Sequence, residues 1–205
     1  MSDVQSLLSL DTKTTVLVII DLQKGITAMP SEPFTPVQVI NNAKKLTDAF
    51  HKINALVILV HVAGARDGKD MLHPNTDSPL IKRGGLPRDW ADIVPELTPR
   101  ENDLVITKHQ WGAFYGTELD LELRRRGIKT IVLCGISTNY GVESTARDAY
   151  ERGYDLIFAQ DAMAARTKAD HEFTVTRIFP RIGRVRQTGQ IVTAIKQNND
   201  FNAVH

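Results

Sequence analysis

The stretch that decides the fold is Ile131 to Ala149, with the sequence IVLCGISTNYGVESTARDA. It begins as a short apolar run, which predicts a buried strand that Gly135 interrupts. A small polar loop follows, and the chain then resumes as a predicted helix that ends near Gly153. A helix that starts directly after a strand presents unpaired N–H groups and the positive end of its dipole, so this turn suits an anion.

The same turn lacks a nucleophile at the position where one is expected. The N–H groups of residues 137–141 form the predicted anion site, and the helix start carries Gly141. Gly135 to Asn139 begins like the G-x-S-x-G of serine hydrolases, but Asn139 stands where the closing glycine belongs. Cys134, the only cysteine, lies inside the apolar strand, where nothing activates a thiol, so a thiol hydrolase using Cys134 is the weaker alternative.

Length, composition and charge bound the class of protein. The 205 residues suit one domain over 1–205, with peripheral tails at 1–13 and 198–205. A net charge of +1 gives no field that attracts nucleic acid or an anionic membrane, and no apolar run approaches the roughly 20 residues that span a bilayer. Without a signal-like start or a second cysteine, the chain is predicted to be cytoplasmic, with no nucleic-acid or membrane partner.

Apolar runs and helical periodicities alternate along the chain. Thr35 followed by Pro36 predicts the N-cap and the first residue of a helix. The long segment between residues 61 and 99 is predicted to be a lid or an interface arm, with one short helix at 90–97. The predicted strands cover residues 14–20, 55–60, 104–107, 129–134, 155–159 and 184–186, and the last two helices cover 167–178 and 188–197. This order predicts a Rossmann-like, three-layer α/β/α fold with a six-stranded, mostly parallel sheet.

Two of the predicted strands end in a charged side chain. Asp21 follows the first strand and Lys108 ends the third. In open α/β sheets, ligands bind at the carboxyl ends of the strands, and a carboxylate there must be solvated, paired or protonated. Taken alone, Asp21 reads equally well as the cap of a loop. A lysine at the matching end of a nearby strand supplies a partner and favours a proton-transfer unit.

Aromatic residues follow Lys108 directly. The segment 109–117, HQWGAFYGT, contains Trp111, Phe114 and Tyr115, which either fill the core or wall a pocket for a flat or cyclic substrate. The sequence leaves both interpretations open. The six histidines show no metal-binding spacing, so we predict no metal and no cofactor.

These residues together resemble the isochorismatase-like (cysteine) hydrolases. The resemblance rests on VLVIIDLQKGI around Asp21, on TKHQWGAFYGTELDLELRRRGIKTIVLCGI around Lys108 and on STNYGVESTARDAYERGYDLIFAQDA, in the family's order and spacing. It implies a six-stranded parallel sheet, assembly as a homo-oligomer (dimer or tetramer) and a non-proline cis peptide at Ile136–Ser137. It also implies an Asp–Lys–Cys triad, whose Asp and Lys correspond to Asp21 and Lys108 and whose cysteine position is Gly141.

The missing thiol implies a change of chemistry. The isochorismatases proper tend to have a small residue at this position, and they hydrolyse a vinyl ether with the aspartate as proton donor and water as nucleophile. By that analogy Asp21 is the general acid, Lys108 is its partner, and Gly141 leaves room for substrate or water. The candidate substrate contacts are Trp111, Phe114, Tyr115, Ser137, Thr138, Asn139 and Tyr140.

The resulting prediction is a hydrolase that acts on a small cyclic or carboxylated metabolite, with an Asp–Lys dyad and no thiol nucleophile. The alternative is a non-catalytic protein of the same fold that binds a small ligand or a partner.

Overall fold

The protein folds around a six-stranded, fully parallel sheet. The structure, a computed structural model, describes residues 8, 10–65, 67–78 and 86–202. Across the sheet the strand order is β3-β2-β1-β4-β5-β6, which confirms the predicted α/β architecture. In chain order the strands are β1 (Thr15–Ile20), β2 (Val57–Val62), β3 (Leu104–Lys108), β4 (Thr130–Ile136), β5 (Asp155–Ala164) and β6 (Arg184–Arg186).

Helices cover both faces of the sheet. They are α1 (Lys24–Thr27), α2 (Pro36–Lys52), α3 (Leu119–Arg125), α4 (Glu143–Glu151), α5 (Lys168–Phe173), α6 (Phe179–Ile182) and α7 (Thr188–Asn202). Crossovers between parallel strands are right-handed, so α2, which leads from β1 to β2, lies on the face opposite to α4, which leads from β4 to β5. Helix α7 packs beside α2, and α6 packs beside α4. In the described part of the chain, no helix combines the length and apolarity needed to cross a membrane.

The core forms where the central strands meet the apolar side of α2. Every residue of β1 is buried, because this strand has a neighbour on each side and helices on each face. From α2, the buried residues include Val39, Ala43, Leu46 and Phe50. Burying each large apolar side chain contributes about 1.5–3 kcal/mol. The predicted start of this helix is confirmed, since the Thr35 hydroxyl accepts from the N–H of Gln38 at 3.3 Å and Pro36 follows it.

The connectivity of the sheet reverses between β1 and β4. From β1 the chain proceeds outward to β2 and β3, whereas from β4 it proceeds the other way to β5 and β6. At such a switch point the loops leaving the two central strands turn away from each other and open a crevice at the strands' carboxyl ends. The loop that starts at Asp21 and the turn that follows Ile136 therefore border one crevice.

Strand β4 does not stop at Gly135, as the sequence predicted, but continues to Ile136. Gly135 pairs with Ile20 in β1 and with Met163 in β5, and its φ of 128° lies in the region that favours glycine. A Cβ on Gly135 would lie 2.0 Å from the carbonyl oxygen of Ile20. The glycine thus allows β1 and β4 to approach closely instead of breaking the strand, and β5 extends to Ala164 beside it.

The predicted helix at 90–97 is also wrong. This segment forms turns and a single 3-10 turn at Pro95–Leu97. Part of its backbone bonds to α1: the N–H groups of Lys24 and Gly25 donate to the carbonyls of Asp92 and Trp90. Pro95 lacks an N–H and favours an extended conformation at the preceding residue, which stops a helix here. The end of the long segment is therefore anchored beside the site, and its residues 66 and 79–85 lie outside the described part.

Candidate active site

Asp21 and Lys108 meet at the carboxyl edge of the sheet. Lys108 ends β3, two strands away from β1, and its side chain passes the end of β2 to reach Asp21. The Nζ atom of Lys108 lies 2.8 Å from Oδ2 of Asp21. Both residues are buried, with 1% of Lys108 and 4% of Asp21 exposed. The structure therefore brings together the two charged residues that the sequence singled out.

The ammonium group of Lys108 has three hydrogen-bond acceptors. Besides Asp21, it donates to the backbone carbonyl of Gln110 at 3.0 Å and to that of Trp111 at 2.8 Å. Three acceptors match the three N–H bonds of an ammonium group. This arrangement fixes the charge of Lys108 in place, and it also fixes the chain that follows β3.

The pKa of the Asp21 carboxyl group lies close to neutral pH. Burial raises the pKa of Asp21 to about 6, while the charge of Lys108 and its hydrogen bond lower it by a smaller amount. Lys108 occupies only Oδ2, and Oδ1 is buried without a hydrogen-bond partner among the described residues. Near neutral pH this carboxyl can therefore exist in both protonation states, and one of its oxygens is unused.

The turn after β4 packs directly on this carboxyl group. The peptide bond between Ile136 and Ser137 is cis, as the resemblance implied, and the chain then forms one π-helical turn, Thr138–Val142, before α4 begins. A Cβ on Gly141 would lie 2.9 Å from Oδ2 of Asp21. The position that the resemblance assigns to a nucleophile is thus in contact with Asp21, and the absence of a side chain lets the carboxyl sit against the backbone.

Threonine hydroxyls tie this turn to the chain that follows β3. The hydroxyl of Thr145 donates to the carbonyl of Gly141 at 2.7 Å and accepts from the N–H of Ala113 at 3.1 Å. Because Lys108 binds the carbonyl of Trp111, two residues earlier, one continuous network connects Asp21, Lys108 and the turn. Each such bond contributes about 0.5–1.5 kcal/mol.

The predicted aromatic contacts separate into two groups. Trp111 and Tyr140 lie together beside the turn, with ring centroids 4.8 Å apart, and Trp111 is 51% exposed. Phe114 is buried instead, with its ring 6.0 Å from that of Tyr154 and the guanidinium of Arg152 over it at 5.0 Å. The Tyr115 side chain is 77% exposed. Only the Trp111–Tyr140 pair lies beside Gly141.

Unpaired polar atoms concentrate in the same turn. Within the described chain, four buried side-chain atoms have no hydrogen-bond partner, and they belong to Asp21, His51, Ser137 and Asn139. Buried polar groups are nearly always paired, so three exceptions at Asp21 and in the adjoining turn need an explanation. The predicted contact Thr138 differs from its neighbours, because its hydroxyl pairs with Nδ1 of His171 at 2.9 Å.

Two residues at the site were missed from the sequence. Gln23 is fully buried. Its side-chain oxygen accepts from the N–H of Val62 at 2.9 Å. Its side-chain nitrogen donates to the carbonyl of Val62 at 3.0 Å and to that of Trp90 at 3.2 Å. It therefore holds the end of β2 and the 90–94 segment around the loop that starts at Asp21. The signal for Gln23 was a polar residue two positions after Asp21. His171 gave no such signal, because its role depends on the packing of α5.

The geometry does not support Cys134 as a nucleophile. Cys134 is buried, and burial together with the nearby Asp161 raises the pKa of its thiol far above the usual range. A thiol that resists ionisation is a poor nucleophile. Over the described ranges, no group of three histidine, cysteine, aspartate or glutamate side chains is placed to hold a metal ion.

The pattern of the isochorismatase domain matches residues 15–190 of this chain. The chain belongs to the isochorismatase family. The isochorismatase family protein YwoC of Bacillus subtilis is 52% identical over 190 residues, which cover 92% of this chain and 98% of YwoC. An isochorismatase family protein from Burkholderia thailandensis has a solved structure with 41% identity and a TM-score of 0.88, covering 93% of this chain and 100% of that one.

Some relatives carry a named hydrolytic activity. The ureidoacrylate amidohydrolase RutB of Methylorubrum extorquens is 41% identical over 113 residues, which cover 55% of this chain and 40% of RutB. Family membership, the fold and this kinship identify the protein as a hydrolase.

We expect Lys108→Met to destabilise the protein by about 3–5 kcal/mol above pH 7, because it leaves the carboxylate of Asp21 buried and unpaired. The deficit is smaller at pH 5, where Asp21 is protonated with or without Lys108, and it grows above pH 6, because loss of the ammonium raises the pKa of Asp21 further. The sign follows from the raised pKa: the neutral carboxyl favours the folded state at low pH, and this stability is lost as the pH rises through about 6. Urea unfolding at pH 5 and pH 8 measures both values.

Lys44→Met is the matched control, because Lys44 pairs with Asp48 on the exposed side of α2. It should change the free energy of unfolding by less than about 1 kcal/mol at either pH. A Lys108→Met deficit of the same size at pH 5 and pH 8 would contradict the buried-carboxyl account.

Proposed function

We propose that the protein hydrolyses a small carboxylated or cyclic enol ether, with Asp21 as general acid and water as nucleophile. The observation that carries the proposal is the carboxyl of Asp21, which is buried against Gly141, has a pKa of about 6 and has one free oxygen. A general acid works best when its pKa lies near the operating pH. The pKa of Asp21 lies near neutral pH and meets this requirement.

The reaction proceeds in three steps that conserve atoms and charge. Protonated Asp21 transfers its proton from Oδ1 to the terminal carbon of the enol ether, which leaves an oxocarbenium ion beside the carboxylate. Water adds to the cationic carbon and returns a proton to Asp21, and the hemiketal collapses to a carbonyl compound and an alcohol. The ammonium group of Lys108 stabilises the carboxylate that forms after proton transfer.

The absence of a thiol supports water as the nucleophile. At the position corresponding to the family's cysteine the chain has Gly141, and the nearest thiol in sequence, Cys134, is buried and held in its protonated form. Acyl-enzyme chemistry needs an activated nucleophile that this arrangement does not supply. A proton donor next to a small residue, by contrast, is sufficient for the hydrolysis of an enol ether.

The same proposal assigns the substrate contacts. Ser137 and Asn139 carry buried polar atoms without partners, which a bound ligand would satisfy. The Trp111–Tyr140 ring pair supplies an apolar wall for a flat or cyclic substrate. Thr138 is reassigned from substrate contact to support of the turn, because His171 already pairs with its hydroxyl.

The proposal further includes a cytoplasmic, single-domain protein that assembles as a homo-oligomer. Large apolar side chains on the surface, including Trp111, Tyr115 and Phe173, support assembly, since exposed aromatic residues are enriched at interfaces. Size-exclusion chromatography with light scattering determines the number of subunits.

We expect Asp21→Asn to lower turnover by at least about 100-fold, because the amide has the same shape but cannot act as an acid. Isochorismate, other carboxylated enol ethers, amides and ureides are screened as probes, and the best is used for the variant. In D2O the product of an enol ether should carry one solvent deuterium at the protonated carbon. Asp48→Asn, on the exposed side of α2, is the control and should keep full activity.

Undiminished turnover in Asp21→Asn would exclude Asp21 as the acid. A product without deuterium, or turnover confined to amides and ureides, would exclude the enol ether. A screen in which every probe binds but none is turned over would favour a non-catalytic binding protein.

We also expect Ser137→Ala to weaken substrate binding about three- to tenfold, the equivalent of one hydrogen bond, without destabilising the free protein. Because the hydroxyl of Ser137 is buried and unpaired, its removal costs no existing bond. Thr15→Val is the matched control, since the buried hydroxyl of Thr15 is bonded to the carbonyl of Asp11 at 2.6 Å. This control should lose about 1 kcal/mol of stability and keep its affinity for substrate.

Calorimetric binding with the best probe and urea unfolding together measure the two effects. If Ser137→Ala lost as much stability as Thr15→Val while its affinity stayed unchanged, the assignment of Ser137 to the substrate would be wrong.

A further inference from the structure

A buried histidine holds the first residue of the turn beside Asp21. His171, in α5, is 3% exposed, and its Nδ1 lies 2.9 Å from the hydroxyl oxygen of Thr138, which is itself fully buried. Thr138 begins the π-helical turn that contains Gly141. The mechanism proposed above does not use His171, yet this imidazole contacts the turn that covers the acid.

His171 is itself fixed on a rigid support. The hydroxyl of Thr167 caps α5 by accepting from the N–H of Asp170, and the N–H of Lys168 donates to the carboxylate of Glu32 at 2.9 Å. The ring of Phe34 meets the imidazole edge-on, with centroids 6.0 Å apart. The imidazole therefore has little freedom to follow a movement of Thr138 and acts as an anchor.

The position of the turn controls the environment of Asp21. Gly141 follows Thr138 by three residues, and its backbone is so close to Asp21 that a Cβ there would lie 2.9 Å from Oδ2. Backbone that packs on a carboxyl excludes water from it, and exclusion of water is the main reason why a buried carboxyl stays protonated. A small retreat of the turn would admit water to Asp21.

We propose that His171 is a positioning residue: its hydrogen bond to Thr138 holds the Thr138–Val142 turn against Asp21 and so keeps water away from the carboxyl. The inference rests on the proposed role of Asp21 as general acid, and it adds a residue outside the crevice that sets the strength of that acid. A neutral imidazole suits this role, and burial lowers the pKa of His171, which favours the neutral form.

Other contacts of the turn do not replace this one. The hydroxyl of Thr145 binds the carbonyl of Gly141, and the hydroxyl of Thr174 binds the carboxylate of Glu143 at 2.8 Å. The first bond acts near the end of the turn, and the second acts on the first residue of α4. Among the described residues, the His171–Thr138 bond is the side-chain hydrogen bond at the first residue of the turn.

The test measures the pKa of Asp21 directly, by NMR titration of protein labelled with ¹³C at the aspartate carboxyl carbons. The Asp21 resonance is identified by its absence from Asp21→Asn. We expect Thr138→Val, which keeps the shape but loses the hydroxyl, to lower the pKa of Asp21 from about 6 by about one unit, so that roughly tenfold less of the acid form remains at pH 7.

Two variants provide the controls. Thr138→Ser retains the hydroxyl and should restore the wild-type pKa of Asp21. Thr47→Val removes a buried hydroxyl that donates to the carbonyl of Ala43 within α2, far from the turn, and should leave that pKa unchanged. If Thr138→Val does not fold, His171→Phe, which keeps a ring but has no donor or acceptor, removes the same bond from the other side and should give the same shift.

An unchanged pKa of Asp21 in both Thr138→Val and His171→Phe would overturn the proposal, as would equal shifts in Thr138→Val and Thr138→Ser. The outcome is independent of the proposed reaction. Full turnover in Asp21→Asn would refute the role of Asp21 as the acid, while the pKa shift would still establish His171 as the residue that positions the turn.

Discussion

The contact between Lys108 and Asp21 spans three strands, because the lysine leaves β3 and the aspartate follows β1. Two opposing effects act on this carboxyl. Burial favours the neutral acid and the ammonium favours the carboxylate, and the balance leaves the pKa of Asp21 near 6. Lys108 also donates to two backbone carbonyls. The group that lowers the pKa of Asp21 therefore also holds the chain after β3 in place.

The second constraint is the close approach of backbone to that carboxyl. Gly135 lets β4 lie against Ile20, and six residues later Gly141 lets the turn lie against Asp21. A side chain at Gly141 would have to displace the carboxyl or the turn. In the proposed reaction this glycine is therefore part of the acid's environment, and water takes the place that the family resemblance assigns to a thiol.

The sheet, its strands and the Asp21–Lys108 pair were predictable from the sequence, because buried parallel strands are short apolar runs and ligand-binding residues gather at their carboxyl ends. Gly135 was misjudged, since a glycine that breaks a strand and one that permits close packing look alike in sequence. The roles of Gln23 and His171 depend on contacts with the 90–94 segment and with the turn. Such long-range contacts leave no local pattern.

The dependence of the turnover rate on pH tests the central claim most directly. Steady-state kcat/KM for the best enol-ether probe should be highest in mild acid and should fall about tenfold per pH unit above pH 6, because only protonated Asp21 can donate. Unfolding of the wild-type protein, measured over the same pH range, is the control for loss of folded protein. A kcat/KM that rises as the pH increases through 6 would show that the carboxylate is the active form, and it would contradict general-acid catalysis by Asp21.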